Sequence, residues 1–113
     1  MRGHRRALIY DDEIATGSSV VELCSVLAAE GIEDIWAVCT HGVFVGSALE
    51  RLAAVPHLTE IVTTDTVHVP PERRPPQLRH VSVAPIFGEA IRCNYLHRSI
   101  GNLFAYGADE TPE

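Results

Sequence analysis

The order of apolar runs and helical periodicities predicts an α/β fold: a parallel sheet with helices on both faces. The run ALIY at 7–10 suits a strand buried on both faces, IWAVCT at 35–40 a second buried strand and IVTT at 61–64 a third strand. Segments of helical spacing separate them, and such alternation implies parallel strands joined by right-handed crossovers. No repeat and no composition shift marks a linker, so the 113 residues read as one domain with a single, limited core.

Residues 7–10 form the first strand, which Asp11 and Asp12 end. Ser18 or Ser19 caps a helix whose positions Val20, Val21, Leu23, Cys24, Leu27 and Ala28 turn inward, and Gly31 closes it. The second strand is 35–40, followed by a loop at 41–46, a short helix at 47–55 with Leu49 and Leu52 inward, and the third strand at 61–64. In VHVPPERRPPQLR, 67–79, four prolines and three arginines forbid regular structure and predict an exposed loop. Residues 80–84 read as a fourth strand. Pro85 sits in the first turn of a helix reaching residue 97, with Ile86, Ala90, Ile91 and Leu96 toward the core, before a short element at 99–104.

Charge and cysteines narrow the class. The net charge is −6, basic in MRGHRR at 1–6 and acidic in the stretch 105–113, and both ends read as solvated tails around a domain at 7–104. Scattered arginines and a pI near 5.4 speak against nucleic acid. No apolar stretch is long enough for a membrane span or a signal peptide. Cys24, Cys39 and Cys93 are odd in number and widely spaced, so reduced thiols and a cytoplasmic location are expected. All nine basic residues are arginine, so chemistry that needs a lysine is closed to this chain alone.

The stretch YDDEIATGSS, 10–19, is a strand end followed by a helix start, where ligands of parallel sheets bind. Thr16, Gly17, Ser18 and Ser19 can wrap an anion with N–H groups and hydroxyls at a helix N-terminus. Asp11 and Asp12 beside an anion fit a ligand that also presents sugar hydroxyls or shares a divalent cation. A phosphorylated sugar meets both demands. The bland alternative is a strand end and a helix cap. Histidines 4, 57, 68, 80 and 97 show no metal-ligand spacing with one another or with a cysteine. His41, on the same rim as Asp11, is a candidate contact of the sugar loop beside the bland reading of a structural loop histidine; Trp36 and Phe44 are core and loop packing, and Arg73 and Arg74 are read as a solvated pair, with an anion contact as the alternative. Residues 63–66, TTDT, are read as a strand-end turn.

Several ordered motifs resemble one family. DDEIATGSS resembles the ribose-phosphate loop of type I phosphoribosyltransferase folds. THGVFVGSAL at 40–49, EIVTTDTV at 60–67, VAPIFGEAIR at 83–92 and SIGNLF at 99–104 resemble the carboxyl-terminal part of ribose-phosphate pyrophosphokinase. The resemblance implies a truncated, Rossmann-like phosphoribosyltransferase fold. In the family, the diphosphoryl group of ATP passes to ribose 5-phosphate with Mg²⁺. By the same resemblance Thr16, Gly17, Ser18 and Ser19 hold the 5-phosphate, and Asp11 and Asp12 hold the 2- and 3-hydroxyls. Ala15 stands where the family usually has Asp, Val45 and Ser47 replace Ser and Pro, and Gly101 replaces Ser.

The resemblance also sets expectations about partners. The family's amino-terminal ATP-binding half, its pyrophosphate loop and its mobile Lys/Arg segment have no counterpart in this sequence. The isolated chain is therefore expected to be inactive. The alternatives are a non-catalytic sugar-phosphate or nucleotide-binding module and a minimal phosphoribosyltransferase. In the family's fold the strand matching 7–10 has a second neighbour, absent here, so this strand becomes an edge. A homodimer or higher oligomer that buries it is expected.

Overall fold

In the computed structural model residues 3–104 are described; the stretch 105–113, read as an acidic tail, lies outside them. The chain divides into two compact units, Met1–Ser82 and Val83–Glu113, although the sequence carries no linker between them. The first unit holds β1 (Arg6–Ile14), α1 (Ser18–Ala29), β2 (Asp34–Gly42), α2 (Ala48–Ala53), β3 (Leu58–Thr64) and β4 (Leu78–Val81). All strand pairs are parallel and the order is β1-β2-β3-β4. The α/β class and the parallel sheet are thus as the alternation predicts, and β1 is an edge.

The strands outrun their apolar runs. Asp11 pairs with Cys39, Glu13 with His41 and Ile14 with Gly42, so Asp11 and Asp12 lie within β1 and His41 within β2 rather than in loops. Ladder pairing uses backbone groups that hydropathy does not report, which is why the ends were invisible to it. β4 starts at Leu78 and ends at Val81, displaced toward the N-terminus from the predicted 80–84, and the proline loop holds a single 3₁₀ turn at Pro71–Arg73.

One core cluster joins Val20, Cys24 and Leu27 of α1 to Leu49 and Leu52 of α2 and to Ile35, Ala37 and Cys39 of β2. Alternation puts those three β2 residues on one face, so α1 and α2 both cover that face. The other face carries Leu8, Tyr10 and Trp36, which are 65%, 72% and 43% exposed. The run 7–10 is therefore not buried on both faces, and Trp36 is not a core residue. Phe44, in contrast, is fully buried, in the left-handed region at φ 47. Leu23 of α1 also faces out, at 41% exposed.

The second unit contains α3 (Ala84–Tyr95), with Pro85 in its first turn, and a 3₁₀ turn at Gly101–Phe104. Only Cys93 of α3 is buried, while Ile86, Ile91 and Leu96 are exposed, contrary to the expected inward face. Among the described residues this unit has no strand, and a helix needs a second layer to bury an apolar stripe. No helix among the described residues is long and apolar enough to cross a membrane.

All three cysteines are free and buried, and burial pushes the Cys24 and Cys39 thiols up. His80 is held below its ordinary 6.5, first by burial and then by the Arg74 guanidinium, against an opposing pull from Asp65 and with a lesser lowering by His68. Its Nε2 is buried without a hydrogen-bond partner. Below pH 6.5 the unfolded chain takes up a proton that the folded chain refuses until a lower pH, so stability falls as pH drops through that window. Thermal melts of wild type and His80→Leu between pH 7 and pH 5 are expected to diverge, with a smaller acid loss in the variant. Parallel pH profiles would remove His80 as a cause.

Candidate functional site

The chain leaves β1 at Ile14, turns at Ala15 to Gly17 and enters α1 at Ser18. A cleft of about 330 Å³ at this crossing is lined by residues 11–20. The structure thus brings Asp11, Asp12, Thr16, Gly17, Ser18 and Ser19 to one place. It lies at the carboxyl end of a parallel strand, where an α/β sheet leaves room for a ligand.

The turn has its own logic. Gly17 is the N-cap of α1 at φ 79, and no side chain caps the helix. The predicted serine cap is therefore replaced by a glycine one, and Ser18 and Ser19 occupy the first turn. The Thr16 hydroxyl accepts from the Ser18 N–H at 3.3 Å and lies 3.2 Å from the Ser18 hydroxyl. A Cβ on Gly17 would stand 3.2–3.3 Å from the side-chain carbons of Leu52. Glycine is needed here for the left-handed backbone and for the close approach of α2, besides any ligand. The first turn of α1 has no acidic residue, so its positive end faces the cleft undiminished from within the helix.

α2 contributes a residue that sequence reading missed. Arg51 donates from Nη1 to the Thr16 carbonyl at 3.4 Å and from Nη2 to the Ser18 hydroxyl at 3.3 Å. An always-charged guanidinium therefore stands on the hydroxyl loop, reaching it across more than thirty residues of chain. The available hint was a basic residue on the helix next along the same rim.

Asp11 and Asp12 are successive strand residues, so pleating sends them to opposite sides of an edge strand. The Asp11 Oδ1 accepts from the Asp12 N–H at 2.8 Å, and hydrogen bonding from Asp12 holds the Asp11 carboxyl below the usual carboxylate range. It remains ionised at neutral pH, as an acceptor of hydroxyl protons must.

Neither Arg51 nor His41 is among the residues lining the cleft: Arg51 reaches it through Thr16 and Ser18, whereas the His41 Nδ1 is 2.7 Å from the Thr66 hydroxyl. Thr64 and Thr66 both donate to the Thr40 carbonyl, and the Cys39 thiol donates to buried Thr63. These residues tie the ends of β2 and β3 together, as a strand-end turn requires. Arg73 donates to the carbonyls of Phe44 and Gly46 and Arg74 to that of Val69, so both fasten loops rather than form a solvated pair. No group of three or more His, Cys, Asp or Glu among the described residues is placed to hold a metal ion.

Residues 2–105 match the phosphoribosyl synthetase-associated domain family. The chain belongs to that family. A Streptomyces coelicolor protein is 43% identical over 100 residues, which are 88% of this chain and 32% of that protein. A ribose-phosphate pyrophosphokinase of Gloeobacter violaceus is 39% identical, with 88% of this chain and 30% of the relative covered. Among solved structures, phosphoribosylpyrophosphate synthetase from Mycobacterium smegmatis superposes with a TM-score of 0.78 at 30% identity, over 81% of this chain and 30% of that one. The phosphoribosyl synthetase-type chain thus spans under a third of the length of these relatives. Its fold is α/β and phosphoribosyltransferase-like.

Proposed function

We propose that this chain is the ribose 5-phosphate-binding portion of a phosphoribosyl pyrophosphate synthetase, corresponding to the carboxyl-terminal part of that enzyme. The observation that carries the reading is the acid-free start of α1, with glycine as its N-cap and Arg51 on its hydroxyl loop. Backbone N–H groups, hydroxyls and a guanidinium together suit a phosphate dianion. The Thr16 to Ser19 loop takes the 5-phosphate, and Asp11 and Asp12, astride the edge strand, accept the 2- and 3-hydroxyls. His41 contributes at the rim only if its bond to Thr66 is exchanged.

In such a synthetase this portion holds the sugar while ATP is bound by a further part of the protein. Mg²⁺ keeps several waters and takes one or two carboxylates with the substrate phosphates, a role that Asp11 and Asp12 can fill in part. When bound it supplies neutralising charge for the transferring diphosphoryl group. Cytoplasmic nucleotide biosynthesis, with no nucleic-acid or membrane partner, belongs to the same reading.

Phosphoryl transfer depends on positioning and on cations at the transferring group, and this chain has no lysine. That observation favours a binding module as the state of the chain on its own. Purified chain is expected to make no phosphoribosyl pyrophosphate from ATP and ribose 5-phosphate, and turnover above a mock preparation would defeat this expectation.

Calorimetric titration tests the site directly. Ribose 5-phosphate is expected to bind at least about tenfold more tightly than ribose, the gain of one charge-assisted contact set. Equal affinities would sink the cradle.

A further inference from the structure

We propose that Arg73, in the proline-rich loop, is a positioning residue for the phosphate-holding loop, which it steadies through the connection between β2 and α2. This role rests on the sugar-phosphate reading of the cleft. Arg73 donates from Nη2 to the Phe44 carbonyl at 2.9 Å and to the Gly46 carbonyl at 3.2 Å. The N–H groups of the same short stretch go to the start of the phosphate-holding loop. Val43 and Phe44 donate to the Ile14 carbonyl at 3.0 and 3.1 Å, and Val45 donates to the Ala15 carbonyl at 2.9 Å. Residues 43–46 therefore link Arg73 to the chain as it leaves β1 for the cleft.

The connection needs bracing because its backbone is strained. Phe44 has φ 47, in the left-handed region that a bulky residue rarely adopts, and such conformations persist only where their surroundings over-determine them. The ring supplies one constraint: it is fully buried, and a Cβ on Gly42 would collide with it. Arg73 supplies another. The Phe44 N–H is held by Ile14 and the Phe44 carbonyl by Arg73, so the two bonds fix the strained residue from both sides. A guanidinium is always charged, and its bonds to carbonyls are of the stronger, charge-assisted kind. α2 follows at once, with the Ala48 N–H donating to the Val45 carbonyl at 3.2 Å. The same stretch thus sets where α2 begins, and with it the approach of Leu52 to Gly17 and of Arg51 to Thr16 and Ser18. Arg74, by contrast, donates to the Val69 carbonyl inside its own loop.

Amide NMR and calorimetric titration of the full chain test the brace with Arg73→Met, Arg73→Lys and Arg74→Met. Arg73 is exposed, so its replacement should leave the core folded. In Arg73→Met the amides of residues 43–45 should exchange faster with solvent and those of Thr16 to Ser19 should shift, while the β2–β3 ladder keeps its protection. Affinity for ribose 5-phosphate should fall about three- to tenfold, following the fraction of time the loop keeps its competent shape, with ribose affinity unchanged. The salt dependence should stay that of wild type, because no phosphate contact is lost. Both bonds leave one nitrogen, so lysine, with three donors on Nζ, should restore part of the affinity. Arg74→Met removes the same charge and should bind as wild type does. Unmoved Thr16 to Ser19 amides in Arg73→Met overturn the proposal, as do an equal loss in Arg74→Met, no recovery in Arg73→Lys or a shallower salt dependence. A wild type that binds ribose and ribose 5-phosphate equally defeats the functional reading instead, and the amide shifts then decide the brace by themselves.

Discussion

Replacing Gly17 by valine is expected to abolish the preference for ribose 5-phosphate over ribose and to destabilise the first unit. The backbone at Gly17 has φ 79, a conformation that costs an L residue about 1–2 kcal/mol and a β-branched one more. Its Cβ would already press on Leu52 at 3.2–3.3 Å, and the two further methyls add overpacking of about 1–3 kcal/mol. The combined loss of about 2–5 kcal/mol is a large part of the stability of a small domain. Gly17→Ala separates folding from binding, because it adds only the Cβ. That variant should melt a few degrees lower yet keep part of the phosphate preference, whereas valine should lose all of it. Full phosphate preference in a folded Gly17→Val chain would show that the loop is not the cradle.

Arg51→Met should lower affinity for ribose 5-phosphate about tenfold or more, since a charge-assisted hydrogen bond is worth about 1.5–3 kcal/mol. Methionine keeps an unbranched stem in the helix and removes only the guanidinium. Arg51 is exposed, so the melting temperature should scarcely move. Three further readouts distinguish phosphate contact from loop support: unchanged ribose affinity, a shallower fall of ribose 5-phosphate affinity with salt in the variant, and partial recovery in Arg51→Lys. Equal losses for ribose and its phosphate would reassign Arg51 to holding the loop in shape.

Much of the candidate site is legible because its parts are adjacent in the chain. A strand end, two acids, a Thr-Gly-Ser-Ser turn and a helix start occupy residues 10–19, and turn and cap chemistry act over a few residues. The cleft lined by residues 11–20 is the same stretch folded. Hydropathy misplaced what depends on partners instead. β1 runs four residues past its apolar run because β2 supplies backbone groups as far as Gly42. The N-cap falls on Gly17 rather than a serine, at a left-handed φ of 79 and in close approach to Leu52, far along the chain, which together disfavour a side chain. α3 has a helical apolar pattern, yet its Ile86 and Ile91 are exposed, since periodicity shows that a stripe exists and not what covers it.

By itself the sequence determined the alternation of strands and helices, the parallel sheet and the loop that begins α1, because each is written in local periodicity and turn residues. Its ordered motifs also pointed to the synthetase family to which the chain belongs. Tertiary structure alone decided that Arg51 stands on Thr16 and Ser18, that His41 is turned to Thr66, and that Leu8 and Tyr10 lie on an exposed face of the sheet. Each of these depends on where distant segments meet once the chain has folded back on itself, and the path of the backbone fixes such meetings rather than the spacing of residues along it.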